Sequence, residues 1–259
     1  MATNARRKVL VASAVIGVGL GGFFDGILLH QVLQWHHLLS LVPGETWRNL
    51  GNQILADGLF HVLMYGVTAA GLFLLWRARA GLADRGVSWR TVAGGGLLGF
   101  GVWNVIDVAG FHWLMGIHRI RVDVPDPMTY DIGWLLIFGA IPLAISWWLL
   151  RRDRGGGEGS TGKAAAMLSL AAVIAAPWAS LPPPNSNTAV VFFQPGTAST
   201  ASFQAARAAG TPVIWMNAEG TMMAVDLGAE GSRAALYRAG ALLVTQSPAL
   251  AGCAAALKA

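Results

Sequence analysis

A single cysteine, Cys253, serves the whole chain. It excludes an intramolecular disulfide and any zinc, iron–sulfur or copper centre built on paired thiolates. Charge is scarce as well: Asp, Glu, Lys and Arg make up 12% of the residues against 54% hydrophobic, outside the range of soluble domains. The charge that is present is basic, with a formal net charge of +5 and a pI near 10.0. These residues do not form the basic stripe interleaved with surface aromatics that a nucleic-acid binder needs, so nucleic acid is excluded as a partner. They flank apolar runs instead, and the lipid bilayer is the expected partner.

Four apolar segments come first, at residues 9–31, 54–76, 91–115 and 132–150, each near the ~20 residues a helix needs to cross the hydrocarbon core. Arg6-Arg7-Lys8 leads into a run longer than a signal h-region and without a small-x-small site, so the first span is expected to be retained. A fifth segment, 164–181, is Ala-rich and runs into Pro182-Pro183-Pro184. With a cytoplasmic N-terminus, nearly all the basic residues near the spans fall inside, against only Arg48, Arg119 and Arg121 in the outer loops.

This gives four expected parts. Residues 1–150 form a four-helix transmembrane metal-binding module made of two pseudo-repeated hairpins, and the Gly-rich 151–163 is a cytoplasmic linker. Residues 164–184 are a fifth transmembrane or signal-type segment whose cleavage is left open. Residues 185–259 form a periplasmic α+β domain. In that last part, strands are expected at 189–194, 212–217, 221–227 and 241–245 and helices at 201–209 and 232–239, a βαββαβ ferredoxin-like order followed by a short tail helix.

Into this apolar chain is set Gly21-Gly22-Phe23-Phe24-Asp25-Gly26-Ile27-Leu28-Leu29-His30-Gln31-Val32-Leu33-Gln34-Trp35-His36-His37. Ionisable groups inside a span are costly and mark function by default. The stretch has a near-copy 82 residues on: Gly17, Gly19, Asp25, His30 and His36 match Gly99, Gly101, Asp107, His112 and His118. Two parallel hairpins related by an axis along the membrane normal are expected. The second and fourth segments then become equivalent partners, one carrying Asp57 and His61 and the other Asp131. Leu135 stands where the repeat would place a second His61.

All six histidines collect at the outer end of the four-helix module. Imidazoles and carboxylates without thiolate suit Cu(II), Zn(II), Fe(II) or Mn(II). The expected ligands are His30, His61 and His112, one from each of three helices, with Asp57 or Asp107 as a fourth ligand or as an orienting carboxylate. His36, His37 and His118 are expected to form an outer, solvent-facing port. At about 100° per residue, Asp25 sits roughly 140° from His30 on a straight α-helix. Either Asp25 and Asp107 orient ligands from neighbouring helices, or Gly26 and Gly110 permit a local distortion. The tryptophans read as an interfacial belt, Gly94-Gly95-Gly96 as close helix packing, and Met216, Met222 and Met223 as core side chains that also offer soft support for copper.

The run from Asp25 to His37 resembles the signature of a bacterial family of four-helix membrane proteins of unknown function. The likeness covers roughly residues 1–150 and leaves out the fifth segment and the C-terminal domain. Members of that family tend to accompany haem-copper oxidase and copper-assembly proteins. The resemblance therefore implies an inner-membrane copper protein that acts as an accessory subunit or assembly factor of a respiratory oxidase. Three other readings stay open: a metal-dependent oxidoreductase activating oxygen, a protein holding haem b between two histidines such as His61 and His112, and a purely structural subunit whose polar groups form a network. Whether the chain is an enzyme is left undecided.

Overall fold

A computed structural model describes residues 2–48, 50–155, 158–182, 187–228 and 231–247. Pro183, Pro184, Cys253 and the tail helix expected from the sequence lie outside the described residues. Five apolar helices long enough to cross a membrane dominate the described residues. They are α1 (Ala2–Asp25, continued as π-helical turns over Gly26–Val32), α2 (Leu50–Arg77), α3 (Trp89–Ile106, continued as π-helical turns over Asp107–Leu114), α4 (Pro127–Trp134 and Ile141–Arg151, joined by π-helical turns over Leu135–Ala140) and α5 (Glu158–Ala179).

Local sequence sets the ends of these helices. Ser88 caps α3, accepting from the Arg90 amide, while Thr91 accepts back from the Ser88 amide. Such a reciprocal pair satisfies amides that have no partner within the helix. Asp126 caps α4 ahead of Pro127, whose fixed φ suits the first helical turn and whose missing N–H costs nothing there. Outward faces of α2, α4 and α5 expose Leu63, Phe73, Ile137, Ile141, Leu170 and Ile174, as lipid-facing helices should. Where the helices meet the basic residues, Arg79 lies over Trp76, Arg90 over Trp89, Arg151 over Trp147 and Arg152 over Trp148. The pairing suits an interfacial belt, with each ring at the headgroup level and its cation in water.

By internal contacts the chain falls into two compact units. One comprises Met1–His36 with His61–Ala179, and the other His37–Phe60 with Ser180–Ala259. Helix α2 contributes residues to both. In the first unit, α1 packs most extensively on α3. The contact is built on the repeat: a Cβ at Gly17 would run into the Gly96 carbonyl oxygen, and one at Gly99 into that of Ala14. Residues 14 and 17 are the repeat equivalents of 96 and 99, so the same close approach is made once from each side. Small residues permit it, and dispersion and packing hold such helices together in lipid.

In the second unit a four-stranded antiparallel sheet is formed by β1 (Thr188–Phe193), β2 (Val213–Met216), β3 (Met222–Asp226) and β4 (Ala241–Thr245), in the order β2-β3-β1-β4. Helix α6 (Ser199–Ala208) follows β1, and α7 (Arg233–Arg238) follows β3. Alternate β1 residues Ala189, Val191 and Phe193 join Ala206, Leu236, Met223 and Val225 in one core. The intervening Val190 and Phe192 pack with Ile54, Met222 and Leu243. Both faces of β1 are therefore covered, which is why its sequence is apolar from Ala189 to Phe193 rather than alternating.

Candidate metal centre

Each copy of the repeat folds into one buried triad. Asp25, His30 and His36 bring one ligand atom apiece within 4.8 Å of one another, and so do Asp107, His112 and His118. All six residues are at most 4% exposed. Placing so many ionisable groups in an apolar helical interior costs several kcal/mol per charge unless they are paired or hold a cation.

The backbone shows how a carboxylate and a histidine five residues apart share a face. Directly after Asp25, and from Asp107 itself in the second copy, the helix widens into π-helical turns. In this winding the backbone bonds run from i to i+5, so residues five apart stand one above the other. The 140° offset of a straight α-helix is much reduced. Both helices also end alike. The Leu33 amide bonds to the Leu28 carbonyl and Trp35 to Leu29; in the second copy Met115 bonds to Gly110 and Ile117 to Phe111. The next turn is left-handed in both, at Gln34 (φ 51°) and Gly116 (φ 64°). That reversal folds His36 and His118 back over the helix ends.

Two rings have a fixed proton position. His36 Nδ1 lies 3.0 Å from the Ile120 carbonyl oxygen; a carbonyl only accepts, so Nδ1 carries the hydrogen. Its Nε2 is 3.0 Å from His30 Nε2, near the roughly 2.9 Å that separates adjacent nitrogens on one square-planar ion. His112 Nδ1 donates to Asp131 Oδ1 at 2.9 Å, and its Nε2 faces Asp107 Oδ2 at 3.1 Å. His118 Nε2 lies 3.3 Å from Asp107 Oδ1. A carbonyl or carboxylate holding the far nitrogen is the usual outer support of a metal-ligating imidazole.

Burial, with His30 and His118 close by, holds His36 well below the ordinary imidazole range. Burial also lowers His118, outweighing the opposing pull of Asp107. Both rings are therefore neutral at pH 7, the form that binds metal. The two triads meet at these rings, which stack with centroids 4.7 Å apart and planes 18° apart. Neither ring lies on a solvent-facing port: His36 is 3% and His118 1% exposed.

The remaining polar residues take other places. His30, His61 and His112 do not form one group, because His30 and His112 belong to different triads. His61 is fully buried, with its ring centroid 6.5 Å from that of His30 and its Nε2 against the Gly26 backbone. Asp131 supports its triad from outside, accepting from His112, the Trp113 indole, Arg119 and the Ile120 amide. In the other unit Asp57 accepts from His37 Nδ1 at 2.6 Å and from the Leu38 amide at 2.8 Å. His37 and Leu38 are the repeat equivalents of Arg119 and Ile120, so the symmetry reaches the loops. Asn104 is occupied by the Trp134 indole and the Phe100 carbonyl.

Arg119, Ile120 and Trp113 were not among the expected site residues. The signal for Arg119 was its place directly after the repeat histidine, where the first copy has His37. Met216, Met222 and Met223 all pack in the sheet's two apolar clusters.

Five apolar helices and a buried cluster of imidazoles and carboxylates define an integral membrane protein with polar groups in its helical interior. Residues 12–153 match the family of predicted membrane proteins DUF2243, and the chain belongs to that family, whose function is unknown. No curated protein and no solved structure matches the chain.

Proposed function

We propose that the protein binds divalent first-row transition metal ions in its two Asp-His-His triads. The carrying observation is the coincidence of repeat and geometry: a pattern of one carboxylate and two imidazoles, written twice in the sequence, is gathered twice into groups of metal-ligand size. The donor set is nitrogen and oxygen without sulfur, and Cu(II) heads the affinity order for such ligands, ahead of Zn(II), Fe(II) and Mn(II). The ion supplies positive charge that offsets the burial of Asp25 and Asp107. The chain holds the imidazoles by their far nitrogens and keeps bulk water away.

In this reading α1 to α4 are two pseudo-symmetric hairpins with the N-terminus cytoplasmic, and the triads lie toward the periplasmic side of a bacterial inner membrane. The sheet order β2-β3-β1-β4 supports a ferredoxin-like fold for the exported domain. A role as accessory subunit or assembly factor of a respiratory oxidase rests on the family resemblance, and copurification of oxidase subunits with the tagged protein from its native membrane tests it. Elemental analysis of the purified full-length protein tests the metal site. Wild type is expected to carry at least one equivalent of transition metal, and the His30→Ala/His112→Ala variant less than a tenth of that. A wild type with less than a tenth of an equivalent after metal loading overturns the proposal.

One observation favours a second reading. Two imidazoles and one carboxylate are also the ligand set of non-haem iron oxygenases, which keep open coordination positions for oxygen. Reductant-dependent oxygen consumption by the iron-loaded protein, abolished by His112→Ala, supports that activity; its absence counts against it.

A further inference from the structure

The two triads sit in unequal surroundings, and the difference is a matched pair of substitutions within the repeat. Gly26 of the first copy corresponds to Val108 of the second, and His61 on α2 corresponds to Leu135 on α4. Around the first triad, the His61 ring lies directly on the Gly26 backbone, and a Cβ at position 26 would overlap His61 Nε2. Around the second, Val108 is fully buried, and Leu135 packs against the cluster it forms with Leu29, Ile120 and Trp134. One copy therefore keeps space for an imidazole and fills it, while the other fills the same space with hydrocarbon.

Distance favours a ligand role for that imidazole. The His61 and His30 centroids are 6.5 Å apart, close to the roughly 6.4 Å expected for two rings on opposite sides of one ion with metal–nitrogen bonds near 2.0–2.1 Å. His61 is fully buried and its Nε2 points at the stretch of α1 between Asp25 and His30. Val108 and Leu135 offer no donor atom at the second triad.

We infer that the protein holds two inequivalent metal ions: a tighter one on Asp25, His30, His36 and His61, and a weaker one on Asp107, His112 and His118 that keeps an open coordination position. The inference rests on the metal-binding reading above and adds to it the stoichiometry, the ligand count at each position and the role of Gly26 as the residue that admits His61. A three-coordinate ion beside a four-coordinate one gives a store and an exchange position within one cluster, the stacked His36 and His118 rings lying between them.

The test is titration of the metal-stripped full-length protein with Cu(II) in detergent, read by competition with a chelator and by EPR. Wild type is expected to bind two equivalents that differ in affinity by at least tenfold and give two EPR signals. His61→Leu is expected to keep two equivalents and lose at least tenfold at the tighter one. The reciprocal variant Val108→Gly/Leu135→His gives the second triad the surroundings of the first and is expected to tighten the weaker equivalent at least tenfold. Two equivalents of equal affinity in wild type, one equivalent in all, or unchanged affinities in both variants overturn the inference while leaving metal binding intact. No copper bound in any sample overturns the metal-binding reading and the inference together.

Discussion

Left-handed backbone at two single residues sets where the outer histidines lie. Gln34 and Gly116 occupy equivalent positions of the repeat with φ of 51° and 64°, and each lets the chain double back two residues before the second histidine. Side chains other than glycine pay about 1–2 kcal/mol for this conformation, because Cβ crowds the following carbonyl. Strain of this kind persists where the surroundings over-determine it, often at functional sites. Nothing stands within 4 Å of a Cβ built on Gly116, so Gly116→Ala isolates the backbone effect from packing. We expect it to destabilise the protein by about 1–2 kcal/mol, and Gln34→Gly to stabilise it by up to roughly 1 kcal/mol. Thermal unfolding in detergent measures both, and equal shifts of the same sign would show that the turn does not govern this segment.

At the scale of helices, much was legible in the composition and the repeat. Five apolar runs of sufficient length became five helices, and the alternation of strand and helix after residue 187 became an antiparallel sheet with two helices. The polar positions of the repeat were legible too, since Asp and His seldom recur by chance in spans. What a straight-helix wheel hid was the winding. At 100° per residue Asp25 and His30 face apart, and the wheel favoured ligands drawn one from each of three helices. The π-helical turns align them, so each triad comes from one helix and the turn that follows it; the five-residue Asp-to-His spacing was the available signal. Element ends also carry an electrostatic tie. Asp153, just beyond α4, accepts from Ser88 Oγ at 2.6 Å, Thr91 Oγ1 at 2.5 Å and the Gly155 amide, with Arg6 Nε of α1 at 3.5 Å. Burial pushes this carboxyl up, but those donors outweigh it and hold Asp153 below the usual carboxylate range. A folded-state value below the unfolded ~3.9 means stability that is present above about pH 4 and is lost as pH falls through the folded value. Asp153→Asn should therefore cost about 1–3 kcal/mol at pH 7, and the gap to wild type should narrow as pH falls below about 4. Chemical denaturation at pH 7 and through the acid range checks this, and a gap that stays constant as pH falls below about 4 would refute the charge-based account.

For the molecule as a whole, the division into two units bears on where a copper ion would be bound. Every member of the two triads, with His61 and Asp131, belongs to the unit of Met1–His36 and His61–Ala179, whereas the three methionines that gave copper its soft support belong to the other. In that second unit Met222 and Met223 are neighbours on β3 and so point to opposite faces of the sheet. Met223 is fully buried with Val191 and Leu236, Met216 packs against the same cluster, and Met222 packs with Val190 and Phe192. The three thioethers are thus split between the two faces of the sheet, Met216 and Met223 on one and Met222 on the other, and their burial is explained by apolar packing. Leucine keeps nearly the same volume and removes the sulfur, so exchange at each position should cost less than about 1.5 kcal/mol. Metal analysis of the full-length Met216→Leu/Met222→Leu/Met223→Leu variant after copper loading should return the wild-type content. Loss of an equivalent in that variant, with the sheet intact by circular dichroism, would assign copper to the methionines.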